Sequence, residues 1–157
     1  MFDILDELRQ LVAVLDDHKV EYALCGGMAM GVHGRTRTTI DIDLLILSDS
    51  LDEVFSIAKS LGYNIRGKDM SFANGAVEIR RVSKIDPEDG ELLSLDLLLV
   101  TPSTRAAWES RLEAEWEEGK LSVVSVTGLI ELKLLRGSDQ DFVDIKALAG
   151  EGSDETG

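Results

Sequence analysis

The chain has 157 residues, 44% hydrophobic and 29% charged, with 30 acidic against 16 basic side chains and a net charge of −14. That length reads as one domain burying roughly 68–70% of its unfolded surface, and the single cysteine, Cys25, excludes an internal disulfide or a cysteine-based zinc site. The acidic balance argues against broad adhesion to nucleic acid or anionic membrane. No stretch reaches the ~18 uninterrupted apolar residues of a membrane helix, and acidic, amphipathic Met1–Arg9 is unlike a secretion signal, so a soluble, cytoplasmic protein is expected.

Ile4, Leu5, Leu8, Leu11, Val12 and Leu15 recur at helical spacing and predict a helix over Phe2–His18. Tyr22–Cys25 reads as a short buried strand, Gly26-Gly27 as the turn out of it, and Met28–Val32 as a short helix. Gly34–Thr39 is a polar loop and Ile40–Leu47 a strand. Asp49 or Ser50 caps a helix that runs to Leu61 and stops at Gly62. Tyr63–Ile65, Ser71–Ala73 and Val77–Ile85 read as strands, with Asn74-Gly75 as a hairpin turn. After the polar turn Asp86–Gly90, Leu92–Val100 is a strand. Pro102 or Ser103 starts a helix to Trp116, which places Trp108 and Trp116 together as packing residues and leaves Glu113, Glu115, Glu117 and Glu118 as a solvated face. Leu121–Val126 is a last strand. Thr127 caps a helix to Arg136, and Ser138 or Asp139 a final one to Ala149. The expected organisation is a core over 1–126, a short C-terminal helical segment over 127–149 and a disordered tail over 150–157. The element order is mixed α/β, with a hairpin inserted between two strands that carry acids.

Those two strands hold the chemistry. In Asp41-Ile42-Asp43, ahead of the apolar run Leu44–Leu47, the carboxylates are two residues apart and share one side of a strand. Like charges that close resist joint ionisation, and Mg²⁺ removes the conflict while keeping sites for substrate phosphates. Leu92–Val100 is apolar except for Ser94 and Asp96, and Asp96 is expensive to bury unpaired. If its strand lies beside the first, three carboxylates converge, a set that suits two ions ~3.5–4 Å apart in a phosphoryl displacement. Gly26 and Gly27 let backbone approach phosphate closely or simply form a tight turn. His33 and Cys25 read as structural residues. The basic residues Lys59, Arg66, Lys68, Arg80, Arg81 and Lys84, set against Asp69 and Glu78, form either a solvated surface or a groove for a phosphate-bearing acceptor.

Gly26-Gly27, Arg37-Thr38-Thr39-Ile40-Asp41-Ile42-Asp43-Leu44 and Asp96 together resemble the minimal nucleotidyltransferases of the DNA polymerase beta superfamily. The spacer with Arg and Thr ahead of Asp-Ile-Asp is closest to the toxin-type transferases of bacterial abortive-infection systems and to small antibiotic nucleotidyltransferases. Leu129–Leu134, Arg136, Asp141, Asp144-Ile145 and Leu148 are similar to the helical segment that ends many of these proteins. The resemblance covers Tyr22–Leu148. It implies the nucleotidyltransferase fold, a mixed central sheet flanked by helices. It also implies transfer of a nucleoside monophosphate from a triphosphate such as ATP to an acceptor hydroxyl, with Asp41, Asp43 and Asp96 as catalytic residues holding two Mg²⁺ ions. Gly26, Gly27, Arg37, Thr39 and Lys133 would bind the nucleotide, although Lys133 also reads as an exposed lysine on an amphipathic helix. The acceptor is open among tRNA, a protein and a small molecule. Relatives carry a larger C-terminal helical domain, so a homodimer, a partner protein or loss of activity would account for the shorter one here. The alternative function is a non-catalytic nucleotide- or protein-binding module on the same fold.

Overall fold

The computed structural model describes residues 1–32 and 41–155. Among these residues, eight strands form one mixed sheet: β1 Ala23–Cys25, β2 Asp41–Ile46, β3 Ile65–Arg66, β4 Met70–Phe72, β5 Val77–Ile85, β6 Leu92–Leu99, β7 Leu112–Trp116 and β8 Gly119–Val123. Their order is β3-β5-β6-β2-β1-β8-β7, with β4 also paired to β5. The central pair β2–β6 is parallel and in register over Asp41↔Ser94, Asp43↔Asp96 and Ile46↔Leu99. The two acid-bearing strands are therefore neighbours, although the inserted β3, β4 and β5 separate them in sequence.

Among the described residues, six α-helices accompany the sheet: α1 Ile4–Asp17, α2 Gly26–Val32, α3 Leu51–Ser60, α4 Arg105–Glu109, α5 Val126–Arg136 and α6 Asp139–Glu155. Strand alternation sorts the sheet into two faces. Ile42, Leu44, Ile46, Leu95 and Leu97 point one way and are fully buried. α1 and α3 pack together, and α1 meets this face where Glu7 pairs with Lys84 of β5 and accepts from the Tyr63 hydroxyl. Cys25, Asp41, Asp43, Leu45, Ser94, Asp96 and Arg81 share the other face through the register Cys25↔Asp43↔Asp96↔Arg81. α5 covers that second face with Leu129, Leu132 and Lys133. The run Leu44-Leu45-Ile46 is apolar on both faces because helices lie on both.

Most elements fall where the sequence pattern puts them, within the usual uncertainty at their ends. One does not. The helix expected from Pro102 to Trp116 ends at Glu109, and Leu112–Trp116 is instead edge strand β7, paired antiparallel with β8. The alternation Leu112-Glu113-Ala114-Glu115-Trp116 has the period of a strand, and Gly119 takes φ 113° to close the hairpin. The glutamates favour a helix locally, but pairing with β8 overrides that propensity. Trp108 is buried in α4 while Trp116 sits half-buried on β7, so they do not share a helix; Glu113, Glu115, Glu117 and Glu118 are exposed as expected.

Two caps also move. Ser125, not Thr127, caps α5, accepting from the Gly128 amide at 3.0 Å. A single 3-10 turn over Ser48–Ser50, without a side-chain cap, leads into α3. At the β4–β5 turn, Asn74 adopts φ 54°, ψ 41°, but the pairing Phe72↔Val77 leaves a four-residue connection rather than a two-residue one. α6 extends beyond Ala149 to Glu155. Among the described residues, no helix is long and apolar enough to cross a membrane.

Candidate active site

The site is built on β1, β2, β5 and β6. Asp43 of β2 stands beside Asp96 of β6, and Asp41 lies two residues earlier on the same side. Asp43 also opposes Cys25, the last residue of β1. The chain then turns into α2 at Gly26, whose φ is +73°. A Cβ at Gly26 would overlap the Asp43 carboxylate, lying 2.7 Å from its Cγ. Glycine is thus required twice, by the backbone angle and by the carboxylate packed against it. Gly27 follows, buried in the first turn of α2. What packs against the Gly26 turn in the structure is the Asp43 carboxylate.

Burial pushes the Asp43 carboxyl up to about 7; Asp96 and then Asp41 add to the rise, and Arg136 and Lys133 oppose it. Burial raises the Cys25 thiol well above its ordinary value, so it is an inert core group, as expected. Asp96 is 5% exposed. Arg81 on β5 grips both its oxygens, with Nε to Oδ1 at 2.6 Å and Nη2 to Oδ2 at 2.8 Å. This bidentate pair compensates the buried carboxylate, and it holds the Arg81 guanidinium still more firmly in its charged form. Sequence reasoning placed Arg81 only in a basic stretch. Its signal was the cross-strand register with Asp96, which pairing alone reveals.

Lys133 differs from the exposed-lysine reading. It is 5% exposed and donates to Asp144 at 2.9 Å. Together with Arg136, which sequence reasoning did not single out as a ligand, it lines a small cavity with Cys25, Gly26 and Asp43. Arg37 and Thr39 lie outside the described residues, as does His33. Four residues of the basic stretch are held in ion pairs. Arg66 and Arg80 pair with Asp69, Lys84 pairs with Glu7, and Arg81 pairs with Asp96. A larger cavity of about 450 Å³ between Tyr22, Arg111 and Ser122 contains none of the site carboxylates.

Asp41 and Asp43 fit one divalent cation. They are hard oxygen donors on one side of a strand, and the raised Asp43 carboxyl is a partly buried group that a cation would compensate. Among the described residues, however, no group of three His, Cys, Asp or Glu side chains is arranged to hold a metal. Asp96 is occupied by Arg81 instead.

Three solved structures are similar over nearly the whole chain. A Thermotoga maritima protein assigned as a nucleotidyltransferase matches with TM-score 0.66 and 16% identity, covering 95% of this chain and 94% of that one. The fold is that of a nucleotidyltransferase. ANT(2")-Ia, in complex with adenylyl-2"-tobramycin, matches with TM-score 0.66 and 15% identity over 99% of this chain and 92% of that one. The lincosamide antibiotic adenylyltransferase LnuA, lincomycin-bound, matches with TM-score 0.58 and 20% identity over 92% and 95%. No family model matches the sequence, and no curated protein does.

Proposed function

We propose that this chain is a cytoplasmic, metal-dependent nucleotidyltransferase that moves a nucleoside monophosphate from a triphosphate to an acceptor hydroxyl. The observation that carries the reading is the Asp43↔Asp96 register, with Asp41 on the same side and Gly26 against Asp43. A nucleotidyltransferase fold places carboxylates in its sheet centre for a reason that a scaffold lacks, because buried like charges cost stability. Asp41 and Asp43 would hold Mg²⁺, which when bound neutralises phosphate charge and polarises the α-phosphoryl group. The acceptor oxygen forms a bond to the α-phosphorus, the bond to the β-phosphate oxygen breaks, and pyrophosphate leaves. Asp96 would take the hydroxyl proton once Arg81 releases an oxygen. A second ion requires the same release. Lys133 and Arg136 supply positive charge toward the triphosphate; Gly26, Gly27, Arg37 and Thr39 complete its binding. Most of the rate comes from positioning and charge stabilisation.

The antibiotic adenylyltransferases among the similar structures favour a small-molecule hydroxyl as acceptor over tRNA or protein, and a toxin-like role belongs to the latter two. The Arg81 grip on Asp96 favours a second reading, a binding module that holds nucleotide without transfer.

Thermal shift with ATP, GTP, CTP and UTP, with and without Mg²⁺, tests the proposal. A shift that needs both triphosphate and Mg²⁺ and disappears in Asp41→Ala is expected. Pyrophosphate release then separates enzyme from module. No shift with any triphosphate overturns both.

A further inference from the structure

Four charged side chains meet where α5 and α6 join, and three of them are almost wholly buried: Lys133 at 5%, Asp141 at 2% and Asp144 at 3% exposure. The Lys133 ammonium donates to Asp144 Oδ2 at 2.9 Å and lies 3.8 Å from Asp141 Oδ1. Arg136 Nε is 3.5 Å from Asp141 Oδ2. Both carboxylates are fixed in turn. Gln140 Nε2 donates to Asp144 Oδ1 at 2.8 Å. The Ser138 amide donates to Asp141 Oδ2 at 3.1 Å and the Asp141 amide donates back to Ser138 Oγ at 3.0 Å, a capping box that starts α6.

Net stability alone is a weak reason for this network. A buried ion pair is often no better than well-packed apolar residues of the same volume. What the network does is hold two cations on the wall of the cavity that Asp43 and Gly26 share. An ammonium has three donors. Asp144 takes one of them and Asp141 stands beside the same ammonium, which lines the cavity.

Resting on the triphosphate reading above, we propose that Asp144 is a positioning residue for triphosphate binding, and that docking of α6 is thereby coupled to the site. Asp144 touches no phosphate; it sets where the Lys133 charge stands. Asp141 does the same for Arg136.

The test measures the affinity of Mg²⁺·ATP by titration calorimetry in the wild type, Asp144→Asn, Lys133→Met and the Lys133→Met/Asp144→Asn double variant. Asp144→Asn is expected to weaken binding about tenfold or more. Adding it to Lys133→Met is expected to cause little further loss, because the two act as one unit. The double variant leaves no unpaired buried ammonium, so it reports on binding even if the single variant folds poorly. A merely structural Asp144 would lower the melting temperature and leave the affinity of the folded protein unchanged. An unchanged affinity in Asp144→Asn, or independent losses that multiply, overturns the inference. In the wild type, α6 amides should exchange more slowly with solvent once Mg²⁺·ATP binds; unaltered exchange overturns the coupling. Absence of triphosphate binding in the wild type overturns the proposed function and this inference together, whereas binding that survives Asp144→Asn overturns only the latter.

Discussion

Asp43→Asn is expected to make the metal-free protein more stable above neutral pH and to lose that advantage in acid. Burial, reinforced by Asp96 and Asp41, raises the Asp43 carboxyl from 3.8 to about 7. In the unfolded chain it titrates near its ordinary value. Between those values the folded state binds more protons than the unfolded one. Its contribution to stability is therefore fully present below about pH 4 and is lost as the pH rises through about 7. The interval spans about three pH units, on the order of 4 kcal/mol. Asparagine keeps the shape and has no proton to lose. Any offset from the amide's own hydrogen bonding is constant with pH, so the slope of the difference is the prediction. Urea unfolding of both proteins in EDTA reads it: a difference that grows toward on the order of 4 kcal/mol by about pH 8. Mg²⁺ should narrow that gap by stabilising only the wild type. A difference that stays flat from acid to alkaline pH would refute the buried-carboxylate reasoning.

Gly26→Ala should destabilise by at least about 1–2 kcal/mol, since a non-glycine residue must adopt a positive φ there and its Cβ must also displace Asp43. Urea unfolding measures the loss, and a neutral substitution would show that Asp43 does not pack on this turn. Arg81→Met should lower stability by about 1–3 kcal/mol, because the buried Asp96 loses both charged hydrogen bonds. Mg²⁺ should restore more of the melting temperature in this variant than in the wild type; an equal response in both would sink the view that Arg81 occupies a cation-binding carboxylate.

The local patterns carried much of the fold and part of the site. Helical spacing of Leu8, Leu11, Val12 and Leu15 produced α1, and continuous apolar runs produced β2 and β6, because burial on both faces demands such runs. Alternation placed Asp41 and Asp43 on one side, since the period of a strand is intrinsic to its backbone. Leu112–Trp116 was different. Its glutamates are compatible with a helix, and only pairing with β8 decided for a strand.

Long-range pairing decided the rest of the site. Asp43 and Asp96 stand 53 positions apart in the chain, and no local preference sets which residues of two distant strands lie side by side. The same holds for Arg81, aligned with Asp96 only through the β5–β6 register. Lys133 shows the limit most clearly. Its helix is amphipathic in sequence, and only α6, arriving with Asp141 and Asp144, makes a buried lysine tolerable there. Propensity and pattern act within a few residues, whereas compensation of buried charge depends on partners that tertiary packing brings together.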